Sequence, residues 1–178
     1  MRYAEQCPFA VVMYAMMLIW YVVFLRVNNI VFVDESGLNR YYRREYARAK
    51  RGVKVYGKKP GTRHKRTNII GALWNDRHIA MQCYEHSTTA LFFEDWFEFE
   101  LIPLLPENAL IIMDNASFHR KNILYNIASR FGIYVLFLPP YSPEFNRIEK
   151  SWANFKQWLK TNLDRFPCFD FAVMAYFT

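Results

Sequence analysis

Cysteine is almost missing from this chain. Cys7, Cys83 and Cys168 are odd in number, far apart and without a CxxC pair, which argues against a disulfide framework and a thiolate zinc site and fits a reducing compartment. The short signatures of several catalytic classes are missing too. Gly57 to Gly61, with Lys58 and Lys59, does not follow the GxxxxGK(S/T) order of a phosphate-binding loop, and no strand pattern leads into it. No pair of histidines has HExxH spacing. Ser36 and Ser117 lack the context of a nucleophile elbow. There is no internal repeat and no low-complexity tract.

What is present is hydrophobic bulk and unevenly placed charge. With 53% hydrophobic and 19% aromatic residues, 178 residues can bury one full core and little more, so one globular domain is expected. The net charge of +7 is concentrated: Arg40 to Arg66 holds twelve of the 23 Lys and Arg and a single acid, Glu45, a formal +11 against −4 elsewhere. Clustered cations attract phosphates and release their counterions, which points to a polyanionic partner; a solvated loop that aids solubility is the plainer alternative. Pro8 to Leu25 runs 18 residues without a charge, the lower limit for a membrane-spanning helix. It lacks the charged start and small-residue cleavage site of a signal peptide. Three readings stay open for it: a membrane anchor, a docked hydrophobic helix, or a segment foreign to the functional fold.

From Asn28 onward the pattern is regular. Ile30 to Val33 reads as a short strand buried on both faces, stopped by Asp34-Glu35-Ser36-Gly37. The basic stretch, with Gly52, Gly57, Pro60 and Gly61, reads as a long loop. Thr67 to Trp74 and His78 to Tyr84 form an expected hairpin around Asn75-Asp76-Arg77. Thr88 or Thr89 caps a helix to about Leu101, with Leu91, Phe92, Trp96, Phe99 and Ile102 on its buried side and Glu94, Asp95, Glu98 and Glu100 mostly on a solvated one. Leu110 to Asp114 is a second buried strand, followed by a helix from about Arg120 to Phe131 capped by Gly132, then a strand from Ile133 to Leu138. Ser142 and Pro143 open a last helix running to about Thr161. This order implies an α/β fold, a central sheet with helices on its faces, mostly parallel apart from the hairpin.

In such sheets ligands sit beyond the carboxyl ends of the strands, where Asp34 and Asp114 fall. Two adjacent carboxylates are costly unless a cation neutralises them, and Mg²⁺ prefers carboxylates, water and phosphate oxygens. A third acid comes from the last helix, where Phe145, Ile148, Trp152, Phe155 and Leu159 make a buried stripe. Glu149 projects from the border of that stripe, with 34 residues between it and Asp114; Glu144 lies well around the helix, in the dipole-favoured first turn. Three carboxylates suffice for two ions of the kind used in phosphodiester chemistry. Lys156 and Lys160 follow on the same edge as Glu149, beside the substrate's phosphates or simply as surface residues. His119 can orient water or finish a turn. Asn115 and Asn146 flank the acids as supporting groups or as turn and helix-start residues.

The runs VDESGLNRYYRREYARAKRG, RTNIIGALW, IIMDNASFHR and FLPPYSPEFNRIEKSWANFK, in this order and spacing, resemble the catalytic domain of DDE transposases, specifically the IS630 group of the IS630/Tc1/mariner superfamily. The resemblance runs from about Asn28 to Lys160. It implies an RNase H-like fold, a mixed five-stranded central sheet with helices on both faces. It also implies two Mg²⁺ or Mn²⁺ ions held by Asp34, Asp114 and Glu149, with Asp34 bridging both, and a chain that works as a homodimer on DNA, cutting transposon ends and joining them to TA sites by attack of the freed 3′-hydroxyl. DNA contacts are expected from Arg43, Arg44, Arg51, Lys54, Lys58, Lys59, Arg63, Lys65, Arg66, Lys156 and Lys160. The implied location is the cytoplasm, at the nucleoid.

Two departures qualify the likeness. Arg147 stands where the family pattern has Pro. The family also carries helix-turn-helix modules before the first catalytic Asp, whereas the 33 residues preceding Asp34 are mostly apolar. The expected division is therefore a hydrophobic segment, 1–27, read from upstream DNA in a frame not selected as protein, and a catalytic domain, 28–178. End recognition would then come from a separate helix-turn-helix polypeptide or a frameshifted N-terminal half; without it the chain would be an inactive DNA-binding remnant.

Overall fold

The computed structural model of the chain describes residues 6–39 and 66–177. Its centre is a pair of parallel strands, β1 (Asn29–Asn39) and β4 (Ala109–Met113), in which Ile30 lies opposite Leu110 and Val33 opposite Met113. Side chains alternate along a strand, so Val31, Val33, Ile111 and Met113 turn to one face and Ile30, Phe32, Leu110 and Ile112 to the other. Both faces are covered, which is why these runs are wholly apolar. β5 (Tyr134–Phe137) adds to β4 in parallel; on the far side β2 (Arg66–Trp74) and β3 (Arg77–Tyr84) continue antiparallel. The order β3-β2-β1-β4-β5 is a mixed five-stranded sheet, as expected.

β1 is longer than the expected Ile30 to Val33. Asp34-Glu35-Ser36-Gly37 does not stop it, because β2 keeps pairing with it as far as Asn39 opposite Arg66. β4 does stop, opposite Val33. Asp34 therefore sits inside a strand, at the point where one neighbour ends and the other continues. The hairpin between β2 and β3 turns on Asn75 (φ 48°) and Asp76 (φ 61°), two residues tolerant of the left-handed region that a two-residue hairpin turn needs. At Gly71, opposite Asp34 on β2, the place of a Cβ is taken by the end of the Met81 side chain of β3.

One face of the sheet is covered by α2 (Ala90–Asp95), its continuation, and α3 (Lys121–Arg130). Thr89 caps α2, its hydroxyl accepting from the Phe92 amide at 3.2 Å, and Gly132 (φ 65°) closes α3 while the Ile133 amide reaches back to the Ala128 carbonyl. The expected buried stripe of the first helix holds at Phe92, Trp96 and Ile102 and fails at Leu91 and Phe99. Trp96–Leu101 widens into a π-helical turn, which carries Phe99 outward (67% exposed) and Leu101 inward, while ahead of it Phe93 is buried and Leu91 is 65% exposed. Glu94, expected outside, is buried and paired with the Arg120 guanidinium; Glu98 accepts from Arg130 at 2.7 Å.

The other face is shared. α4 (Ile148–Asn162) and α5 (Phe169–Phe177) cover its β1–β2 side through Ile148, Trp152, Phe155, Leu159, Phe169 and Ala172. α5 has no counterpart in the sequence reading. α1 (Pro8–Val23) covers the β4–β5 side, with Tyr14 against Phe145 and Tyr21 against Tyr134 at ring distances of 5.5 and 5.4 Å. It is a 16-residue helix, and among the described residues no helix is long and apolar enough to cross a membrane. The entry to α4 also differs from expectation. Pro143–Phe145 makes one 3₁₀ turn, Asn146 is extended (φ −95°, ψ 102°), and Ser142 does not cap the helix but donates to the Pro140 carbonyl. The break follows from a tertiary demand: the Asn146 side chain is drawn away to the Val33 carbonyl, 3.0 Å distant.

The π-helical shift makes a direct prediction. Phe97→Ala should cost about 3–5 kcal/mol of unfolding free energy in urea denaturation, and Phe99→Ala less than about 1 kcal/mol, although both lie on the same short segment.

Candidate active site

Asp34, Asp114 and Glu149, from β1, the residue after β4 and the first turn of α4, line one cavity of about 490 Å³ together with Asn115, Tyr141 and Asn146. Each acid is held differently. Asp34 is 9% exposed and points to the α4 side of the sheet, where the Trp152 indole N–H donates to its Oδ2 at 3.0 Å. Asp114 is half exposed at the carboxylate, and its Oδ1 accepts from the Ala116 amide at 3.2 Å, the local bond that a short Asp side chain makes in a turn. The Glu149 amide donates to the Asn146 carbonyl at 3.1 Å.

The electrostatics tie them together. The Asp34 carboxyl is pushed up to about 8, by burial first and then by the negative charges of Glu149, Glu35 and Asp114. Burial also raises Glu149, with Lys156, two turns along α4, pulling the other way and Asp114 adding to the rise. Crowded carboxylates of this kind are relieved by a cation, and their donor set is all hard oxygen, so the residues present fit Mg²⁺ or Mn²⁺.

Of the other expected residues, Asn115 lies exposed at the cavity. Asn146 is buried, and by holding the Val33 carbonyl it ties the entry of α4 to the residue before Asp34. His119 is buried beside Asp114, its Nδ1 3.4 Å from Asp114 Oδ1. Lys156 is partly buried and Lys160 exposed on α4. Arg43, Arg44, Arg51, Lys54, Lys58, Lys59, Arg63 and Lys65 lie outside the described residues, as does the side chain of Arg66. Arg147 pairs with Asp76 at 2.9 Å.

Two participants were missed. Trp152 was read only as core, though its indole N–H needs a partner when buried. Glu35 was read as part of a strand stop. Because β1 continues, Glu35 faces away from Asp34, toward His119; ligand atoms of Glu35, Asp114 and His119 lie within 4.8 Å of one another, close enough to hold a metal ion. For Glu35 the signal lies in the alternation of strand side chains once β1 extends past Val33.

A mixed sheet of this order, with acids gathered where the parallel pair ends, defines an RNase H-like fold. The chain belongs to the DDE superfamily endonucleases, whose family model matches residues 29–170. Among solved structures it is similar to the Mos1 transposase paired-end complex with left transposon end (TM-score 0.69, 16% identity, 89% of this chain and 51% of that one). It is also similar to the Mos1 mariner paired-end complex with Mn (TM-score 0.64, 15% identity, 86% and 51%). A simian T-cell lymphotropic virus intasome shares the fold at a TM-score of 0.55 and 14% identity, over 83% of this chain and 46% of that one. At these identities the likeness is one of fold, and the chain spans about half the length of the chains it matches. The comparison with curated proteins gives no match.

Because the Asp34 carboxyl is raised from 3.8 in the unfolded chain to about 8 in the folded one, the folded state binds the extra proton between those values. Its contribution to stability is thus full below about pH 4 and lost as pH rises toward 8. Thermal unfolding from pH 4 to 9 should show Asp34→Asn gaining on the parent chain as pH rises, and millimolar Mn²⁺ should stabilise the parent but not the variant at pH 8. A parent-minus-variant difference independent of pH would contradict this.

Proposed function

We propose that the chain is the catalytic part of a DNA transposase of the IS630 group in the IS630/Tc1/mariner superfamily, with Asp34, Asp114 and Glu149 as its metal-binding triad. The observation that carries this reading is the convergence of three acids, from three separate elements, in one cavity where each raises or is raised by another. Residues 28–178 form the catalytic domain in this reading, and 1–27, including α1, a hydrophobic addition to it. The chain acts at the nucleoid, in the cytoplasm, as a homodimer on DNA.

Asp34, Asp114 and Glu149 would hold two divalent ions, which when bound would activate a water or 3′-hydroxyl and neutralise charge on the phosphate. The chain's own residues set the frame for that. Trp152 donates to Asp34 and so keeps its carboxylate in one orientation, ready for the metal it would hold. Ala116 and His119 hold Asp114, and Asn146 locks the start of α4, hence Glu149, to β1. Lys156 and Lys160 extend from Glu149 along α4 for the phosphates of the same strand. The strongly basic segment 40–65 joins Asn39 to Arg66, which pair with each other on β1 and β2, the strands that carry Asp34 and its opposite residue Gly71. In this reading a separate helix-turn-helix polypeptide or a frameshifted N-terminal half recognises the transposon ends, and this chain joins the cut ends to TA target sites.

Two experiments test this. Mg²⁺-dependent nicking of DNA carrying the element's ends should fall at least ~100-fold in Asp34→Asn, Asp114→Asn and Glu149→Gln, while Glu144→Gln stays within a few-fold. Nicking that survives in the triad variants refutes the assignment, and DNA binding without any nicking identifies an inactive remnant. DNA affinity should also fall steeply with salt, and Lys58→Ala with Lys59→Ala should lower the slope of log K against log salt by about 2.

A further inference from the structure

β1 carries two acids side by side, and strand alternation sends them to opposite faces. Asp34 turns to α4. Glu35 turns under α2, where it meets His119 in a box of rings: Phe93, Phe118 and Phe137 lie 4.2, 4.4 and 6.3 Å from the imidazole centroid. The imidazole side chain is 1% exposed and that of Glu35 15%. Glu35 Oε1 and His119 Nε2 are 3.6 Å apart, and both are buried without a hydrogen-bond partner among the described residues. A buried carboxylate oxygen with no donor is expensive, and so is a buried ring nitrogen with no partner. The two are each other's nearest remedy. At its other end the ring presents Nδ1 to Asp114, 3.3 Å from the carbonyl oxygen and 3.4 Å from Oδ1.

We propose that Glu35 is a positioning residue: it fixes the His119 ring from behind, and the ring with the Ala116 amide holds the Asp114 carboxylate in the orientation that binds metal. The inference rests on Asp114 being a metal ligand, as proposed above. Asp114 needs such a support because it stands one residue beyond the last β4 pair and its carboxylate is half exposed. The His119 amide, donating to the Ala116 carbonyl at 3.1 Å, closes the same turn, so ring and amide are fixed by one short segment. Neither Glu35 nor His119 lines the cavity shared by Asp34, Asp114 and Glu149. That places the pair behind Asp114 rather than among the groups facing substrate. Groups behind a metal ligand orient it and set its affinity, and their loss weakens metal binding by about 10–100-fold.

The test is Mn²⁺ affinity of the full chain without DNA, by calorimetry and by the paramagnetic resonance signal of the free ion, alongside metal-free thermal unfolding. Glu35→Ala and His119→Ala should each weaken Mn²⁺ binding about 10–100-fold. Glu35→Gln should stay within a few-fold of the parent, since its amide offers the ring a donor or an acceptor. Adding Glu35→Ala to His119→Ala should weaken binding no further, the signature of one residue acting through another. Should Glu35→Ala fail to fold, Glu35→Met fills the space without a polar end and takes its place. Unchanged affinity in Glu35→Ala or Glu35→Met overturns the proposal, and so does a Gln variant as weak as Ala, which would make Glu35 a ligand itself. Mn²⁺ affinity undiminished in Asp114→Asn would instead overturn the reading of Asp114 on which the proposal rests.

Discussion

Placing the Asp34 carboxylate inside a sheet is the unfavourable act around which the rest of the structure is arranged. Burying a charged carboxylate without compensation costs several kcal/mol, and three other acids nearby raise that cost. The chain meets it with a strand that has two different neighbours. On one side β4 ends opposite Val33 and leaves open space; on the other β2 continues and keeps the backbone rigid. Opposite Asp34, the Met81 side chain of β3 folds over Gly71 and fills the space there. Trp152 then brings a single N–H to the carboxylate from a helix whose other inward residues are wholly apolar.

α4 consequently does two things with one face. Ile148, Phe155 and Leu159 hold it to the sheet, and Trp152 in the same stripe reaches Asp34. Glu149, beside the stripe, reaches the cavity from its border. The helix that seals the core also delivers an acid to the site, so packing errors in the core and geometric errors in the site are coupled through it.

Much of this was legible in the sequence where the cause is local. Ile30 to Val33 and Leu110 to Met113 announce strands because residues buried on both faces must be apolar, and Asn75-Asp76 announces a turn because few other pairs adopt positive φ twice. The stripe from Ile148 to Leu159 puts Glu149, not Glu144, at the border of the buried face, a fact of spacing alone. What could not be read has causes elsewhere in the chain. The π-helical turn at Trp96–Leu101 changes the period that pattern reading assumes. The break at Asn146 answers a carbonyl on β1, and Glu94 turns inward to meet Arg120. β1 continues through polar residues only because β2 lies beside it, and Glu35 was hidden by that same mistake.

The Asn146 bond to Val33 has a consequence for how the cavity behaves before anything enters it. It joins the peptide just ahead of Asp34 to the peptide chain just ahead of Glu149, so these two acids cannot drift apart without breaking a buried bond and lifting α4 off the sheet. The conformational freedom that a flexible pair of ligands would lose on meeting an ion has already been given up when the chain folds. Asp34 and Glu149 thus reach their separation as the chain folds, while Asp114 is set independently by the turn through Ala116.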